Sequence, residues 1–391
     1  MFNDGEIVNG NTFMICQYEI LRKNGFNNEV SKPDAVFLVD ISSGEMISHI
    51  GYPNVFLDQP HEALIKPNDG NVLIANCRND TIIEINSSTN EEIWNYNLRD
   101  LDWTTVNNTL FGPDSYVNNP KGDDWSHVND VEYIERNGTE YLLITVRNFD
   151  MIYEINYTAA KQRETANAQD ITWYFGSPGN FELLNHQHNA DYLPNENILV
   201  ADSTNRRIVE INYTTREIQW VSPKSLNLLF VRDADVSPYD NDTFLITDSL
   251  NHRIIEYDRV MGEIVWSYTG NLIQPYQADY FNGTGDKIVI SDGVGARVFL
   301  LEKESKEIIN EYRAKQGSWE FVLLIFILLC VITGSTIIFR LVDWKLFGKK
   351  KRSFIAITIL SFAILGFFIY SAFNPLWLLK SVVQLVNVIR R

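Results

Sequence analysis

Five short runs in the chain set a reactive or charged side chain just ahead of an apolar, β-branched stretch. They are His61-Glu62-Ala63-Leu64, His127-Val128-Asn129-Asp130, His188-Asn189-Ala190-Asp191, Arg232-Asp233-Ala234-Asp235 and Tyr276-Gln277-Ala278-Asp279. An imidazole titrates close to neutrality, so it is available as nucleophile or proton carrier. A nucleophilic side chain splits a group transfer into two easier steps through a covalent intermediate. A guanidinium beside it offers fixed donors to an anionic group, and positioned His or Tyr side chains move protons. Three imidazoles are also enough ligands for Zn2+ or Cu2+. Calcium fits worse, because it takes a shell of oxygens and these leading residues are mostly nitrogen donors. Every one of these chemistries requires the five runs to meet in space.

The repeat supplies the means. Each run leads into an apolar strand ("NVLIAN", "YLLITV", "NILVAD", "TFLITD", "KIVISD"). A polar turn and a second strand follow ("TIIEIN", "MIYEIN", "RIVEIN", "RIIEYD", "RVFLLE"), then an outer strand ("EEIWNY", "ITWYF", "EIQWVS", "EIVWSY", "EIINEY"). Short β-branched runs between Asn, Asp and Gly turns have strand rather than helix periodicity. The five leading residues are 66, 61, 44 and 44 residues apart. Four strands in roughly 44 residues is the period of a propeller blade. The two longer steps hold insertions at 97–124 and 158–170, expected as loops over one face. Upstream, "TFMICQYEIL", "AVFLVDI" and "EMISHI" supply strands of one more blade. The expected fold is therefore all-β: a six-bladed propeller, with ring closure shared between the start of the chain and the end of the body. The first strand of a blade is innermost, so His61, His127, His188, Arg232 and Tyr276 hold equivalent positions and form a ring at one mouth. Small residues such as Ala63, Ala190, Ala234 and Ala278 are what packing alone would select there. In the turns "DSTNRRIVE" and "DSLNHRIIE", Asp202, Asn205, Asp248 and Asn251 are suited to hold backbone, and His252 is expected on the surface.

Charge divides the chain. Residues 319–391 carry nine Lys/Arg and two Asp/Glu, net +7, and the remaining residues carry 24 against 48, net −24. So acidic a body, with no basic stripe, disfavours nucleic acid as a partner. No P-loop is visible, which argues against an enzyme that binds a nucleotide by its phosphates. The stretches 319–339 and 353–373 are each long and apolar enough to cross a hydrocarbon core of roughly 30 Å. Between them lie Lys349, Lys350, Lys351 and Arg352, and Trp319, Trp344 and Trp377 flank them as interfacial anchors. The expected domains are a propeller over 1–318 and a transmembrane hairpin over 319–391, its helices at about 319–339 and 353–379. Basic loops stay inside, so the expectation is a multi-pass cell-membrane protein with the propeller outside. Sequons at Asn79, Asn86, Asn107, Asn137, Asn156, Asn212, Asn241 and Asn282 agree with an exported glycoprotein. "MFNDGEIVNG" is not a signal peptide, and an apolar export segment upstream of Met1 is the expectation. Cys16 and Cys77 lie in adjacent predicted strands, as a disulfide or as two buried thiols.

The runs "HVNDVEYI", "YLLITVRNFDMIYEIN" and "ITWYFGSPGNF", followed by "HQHNADYLPNENILVADS", resemble the arylsulfotransferase family, and especially its membrane-anchored archaeal members. The resemblance covers about residues 50–312. It implies a six-bladed propeller that needs no nucleotide donor and no other cofactor or metal. It implies transfer of a sulfuryl group from an aryl sulfate to a histidine and then to a phenol. Carried over by motif, His188 of "QHN" is the nucleophile. His127 and Asn129 of "HVN" and Arg147 of "VRN" bind the sulfuryl oxygens, and His61 is a further catalytic histidine. Arg232 and Tyr276 complete the substrate-binding ring. Two other readings stay open: a non-catalytic surface propeller that binds glycans or envelope proteins, and a His-ligated metal site.

Overall fold

The computed structural model describes residues 2–8, 12–17, 34–51, 53–107, 109–112, 115–118, 120–122 and 124–313. Six four-stranded antiparallel sheets follow one another along the chain, each a meander of four consecutive strands. The innermost strands are Phe2–Val8, Pro60–Ile65, Val128–Arg136, Ala190–Tyr192, Val231–Val236 and Pro275–Tyr280, in blades one to six. Each touches its neighbours on both sides, and the strand of blade one touches those of blades two and six. This is the expected six-bladed propeller, closed differently from the expectation. Among the described residues no blade mixes the two ends of the chain. "FNDGEIV", which lacks an apolar alternation, is the inner strand of blade one, and the three upstream stretches recognised as strands are its outer ones. The ends meet side by side, and a Cβ on Gly5 would stand 2.9 Å from Val298 Cγ2 of blade six. Glycine is therefore the residue that fits this seam.

Apolar cores lie between successive blades. Ala63, Ala190, Ala234 and Ala278 point into four of these cores, and Val131 into a fifth. With alternate residues facing the blade seam, the residues between them face the channel.

A β-bulge at the start of the inner strand sets the mouth. In blade two Pro60 pairs with Asn76 and Glu62 with Ala75, skipping His61. Asn129, Arg232 and Tyr276 are skipped in the same way in blades three, five and six. A bulge leaves one residue outside the ladder and re-aims its side chain, here at the rim of the channel. Two residues earlier, Gln59, His127, His186 and Phe230 all have φ between 50° and 60°, a left-handed turn into the strand.

Side chains from the turns grip these segments. Within a blade, Asn76 accepts from the backbone N–H of Asp58, Asp202 from Asn185 and Asp248 from Leu229, each at 2.8 Å. From the preceding blade, Asp80 accepts from the Ser126 N–H at 2.8 Å and Asp150 from the His186 N–H at 3.0 Å. Asp202 and Asp248 thus bond backbone, as expected. His252 is not a surface residue: it is half-buried and its Nδ1–H bonds the Ile273 carbonyl of blade six. Its turn position places it on the next blade, a contact that local sequence does not show.

The first insertion does not lie loosely over a face. Trp103, Phe111 and Val117 are fully buried in it, with Trp103 packed on Phe149 and Tyr153, and the helix Trp103–Val106 touches the second insertion. Cys16 and Cys77 are buried free thiols rather than a disulfide. The chain divides into two units, Met1–Arg313 and Ala314–Arg391. The stretches 319–339 and 353–379 lie outside the described residues, and among the described residues no helix is long and apolar enough to cross a membrane.

Candidate active site

The ring residues do converge. His61 and His127 meet edge to face with centroids 5.0 Å apart. Tyr276 stands 6.1 Å from His61 on one side and 6.1 Å from His188 on the other. The Arg232 guanidinium stacks 4.1 Å from the Tyr276 centroid. Beneath them a cleft is lined by Asn129, His188, Asn189, Arg232, Asp233 and Tyr276 among others.

The positions are not all equivalent, which corrects the sequence alignment. Asp130 pairs with Thr145 just as Asp233 pairs with Thr247, so Asn129 is the counterpart of Arg232. His127 lies two residues earlier, in the left-handed turn, and corresponds to His186 rather than His188. A two-residue slip keeps the strand face, and so His127 still reaches the mouth. Its orientation comes from Asp124, whose Oδ1 accepts from Nδ1 at 2.7 Å. Arg147 opens the turn after the second strand of blade three, and its N–H bonds the His127 carbonyl at 3.1 Å. In the same turn position blade two carries Cys77 and blade four Ser203.

Ser203 fixes the state of His188. Its hydroxyl donates to the Val231 carbonyl at 2.5 Å, and its oxygen lies 2.9 Å from His188 Nδ1. A hydroxyl has one proton, so once that proton is donated the oxygen can only accept. His188 Nδ1 therefore carries the hydrogen and Nε2 the lone pair. His61 is arranged alike, with Nδ1 3.0 Å from the Gln59 carbonyl, an obligate acceptor.

Electrostatics keep these rings neutral. Burial, followed by the charges of Arg232 and Arg147, holds His188 well below the ordinary imidazole value. Burial, then His127, does the same for His61. His127 is lowered chiefly by burial, with Asp124 pulling the other way. Burial and then Arg232 lower Arg147, so two guanidinium groups share one mouth. Polar atoms there stay available: Asn129 Oδ1, Asn189 Oδ1 and Arg232 Nε have no hydrogen-bond partner among the described residues. The Gln187 amide bonds the carbonyls of Val146 and Met151, tying blade three to blade four.

An uncharged imidazole with a directed lone pair, facing guanidinium groups, can attack an electrophile that carries negative oxygens. Sequence reasoning missed Ser203, Asp124 and Cys77. The signal for Ser203 was present: the residue after the second strand reads Cys, Arg, Ser, Ser and Gly in blades two to six, a varied position inside a repeated turn.

Residues 4–185 match the family model described as Arylsulfotransferase (ASST). That span holds His61, His127, Asn129 and Arg147 and ends three residues before His188. No curated protein matches the chain. Among solved structures, a streptogramin B lyase aligns at 12% identity over 81% of this chain and 84% of its own, with TM-score 0.49. Virginiamycin B lyase from Staphylococcus aureus aligns at 13% identity over 81% and 85%, TM-score 0.48. A chain of the mitotic checkpoint complex aligns at 8% over 80% and 78%, TM-score 0.48.

Proposed function

From the membership of residues 4–185 in the arylsulfotransferase family, we propose that this protein moves a sulfuryl group from an aryl sulfate to a phenolic acceptor through a histidine intermediate. His188 Nε2 attacks sulfur, the N–S bond forms, and the S–O bond to the aryl group breaks with its electron pair leaving on the phenolate. The acceptor phenol then gives its proton to the neutral His61 imidazole and attacks the sulfur; the N–S bond breaks with its electron pair returning to His188 Nε2, and His61 passes the proton to the departing phenolate or to solvent. Arg147, Arg232 and the Asn129 amide hydrogen not given to the Gln187 carbonyl hold the sulfuryl oxygens as charge moves onto them and the leaving oxygen, and His127, whose Nδ1–H is held by Asp124, joins them once Nε2 takes up a proton. Fixed donors of this kind act most strongly where solvent is excluded. The Arg232 guanidinium sits over the Tyr276 ring, which aims it.

The observation that carries this reading is the Ser203 bond, which leaves a neutral His188 with its lone pair on Nε2. Turnover of p-nitrophenyl sulfate with a phenol acceptor tests it. His188→Ala is expected to lose about a thousandfold or more in kcat, as nucleophile deletions do, and nitrophenolate release at the wild-type rate overturns the assignment. A wild-type protein that turns over no aryl sulfate leaves the ring as a binding site for glycans or envelope proteins.

The apolar stretches 319–339 and 353–379 and the basic loop between them support a multi-pass membrane anchor with the propeller outside. Protease shaving of intact cells that spares the propeller would reverse that orientation, and endoglycosidase treatment reports whether the sequons carry glycans.

A further inference from the structure

We propose that His61, Cys77 and His127 form a site for a thiophilic divalent cation, Zn2+ foremost, and that its occupancy silences the transfer ring. The metal site stands on geometry alone; the silencing rests on the sulfotransferase reading.

One ligand atom from each of the three lies within 4.8 Å of the others. Both imidazoles are held as metal-ligating imidazoles are. His61 Nδ1–H is taken by the Gln59 carbonyl and His127 Nδ1–H by the Asp124 carboxylate, so each ring's lone pair is on Nε2. Outer partners of this type set the tautomer and orientation of histidine ligands. Asp124 also lies 3.9 Å from Cys77 Sγ, so one carboxylate stands behind two of the three ligands. Cys77 is fully buried and not in a disulfide. It occupies the turn position that carries Arg147 and Ser203 in the next two blades, and there a thiol has no part in sulfuryl transfer.

Two imidazoles and a thiolate suit Zn2+ and discriminate against Ca2+ and Mg2+, which want oxygen. Zinc bonds of about 2.0 Å to nitrogen and about 2.3 Å to sulfur draw the three ligands closer by side-chain rotation, with a fourth position left for water. On binding, Cys77 releases its thiol proton to solvent and the metal takes its place; nothing is oxidised. The cation occupies the lone pairs of His61 and His127, so neither imidazole can serve the substrate.

Cobalt titration of the full-length, tag-free protein tests the site. Co2+ is expected to give a thiolate-to-metal charge-transfer band that Zn2+ displaces, that Cys77→Ala abolishes and that Cys16→Ala retains. Failure of the band to appear, or its persistence in Cys77→Ala with a wild-type circular dichroism spectrum, overturns the site. In the second arm, Zn2+ is expected to inhibit p-nitrophenyl sulfate turnover by the wild type at least tenfold more strongly than by Cys77→Ala. Equal sensitivity overturns the silencing. A protein without sulfotransferase activity leaves the cobalt arm fully readable, so the two ideas fail separately.

Discussion

The mouth and the shaft of one channel are made by the same inner strands and carry opposite chemistry. At the mouth stand His61, His127, His188, Arg232 and Tyr276, joined by Arg147 from the turn after the second strand of blade three. Three residues further along their strands, Asp191, Asp235 and Asp279 share one register, opposite Leu199, Leu245 and Val289. Asp130 and Asp233 lie between the two levels, each accepting a 2.9 Å bond from the next blade, from the N–H of Ala190 and Ala278. Burial pushes both of these carboxyls up to about 7, and burial and mutual repulsion raise Asp191 and Asp235 well above the usual range. Over about 10 Å of strand the lining passes from cationic to acidic. A body of net −24 can hold an anion at such a mouth, and the carboxyls below, which burial keeps protonated toward neutral pH, offer it no cation. The channel is a socket.

Disturbing the mouth should cost most. Arg232→Gln removes one fixed donor, and kcat/KM for an aryl sulfate is expected to fall about a hundredfold, measured by initial rates; a change under threefold would take Arg232 out of the site. Ser203→Ala leaves the nucleophile in place and releases its tautomer. The expected loss is about tenfold in kcat with KM nearly unchanged, in line with outer partners of functional imidazoles. In the wild type, kcat/KM should hold as pH falls through 6.5, because burial keeps His188 neutral there; a titration centred near 6.5 would contradict the burial argument.

The shaft predicts a stability effect instead. Asp233 has a folded-state value raised above that of an unfolded aspartate. Its favourable contribution is thus complete below about pH 4 and is lost as pH rises toward 7. Asp233→Asn keeps a carbonyl oxygen for the Ala278 N–H and cannot ionise. It is expected to raise Tm by several degrees at pH 8 and to leave it nearly unchanged at pH 4. Equal shifts at both pH values would mean that Asp233 is not the group being relieved.

The strands and their order were legible because apolar alternation and polar turns repeat five times with little disguise. The ring was legible in membership and wrong in detail at His127. A histidine letter drew the alignment, whereas hydrogen-bond register places Asn129 there, and a two-residue slip leaves no trace in the inside–outside pattern. Blade one lacked a readable inner strand, because Gly5 answers to the close approach of Val298 rather than to any periodicity. Ser203 and Ser249 look alike in sequence, each following an Asp. Only Ser203 meets an imidazole, while Ser249 Oγ has no hydrogen-bond partner among the described residues. Partners from another blade are a property of the closed ring.

The grips that Asp80 and Asp150 exert on Ser126 and His186 cross from one blade to the following one. Blades three and four are therefore not self-sufficient modules. Cut out or transplanted, blade three would bring His127 without the Asp80 carboxylate that holds the backbone beside it, and the unit that evolution or an engineer could exchange here is a blade together with the turn of its predecessor.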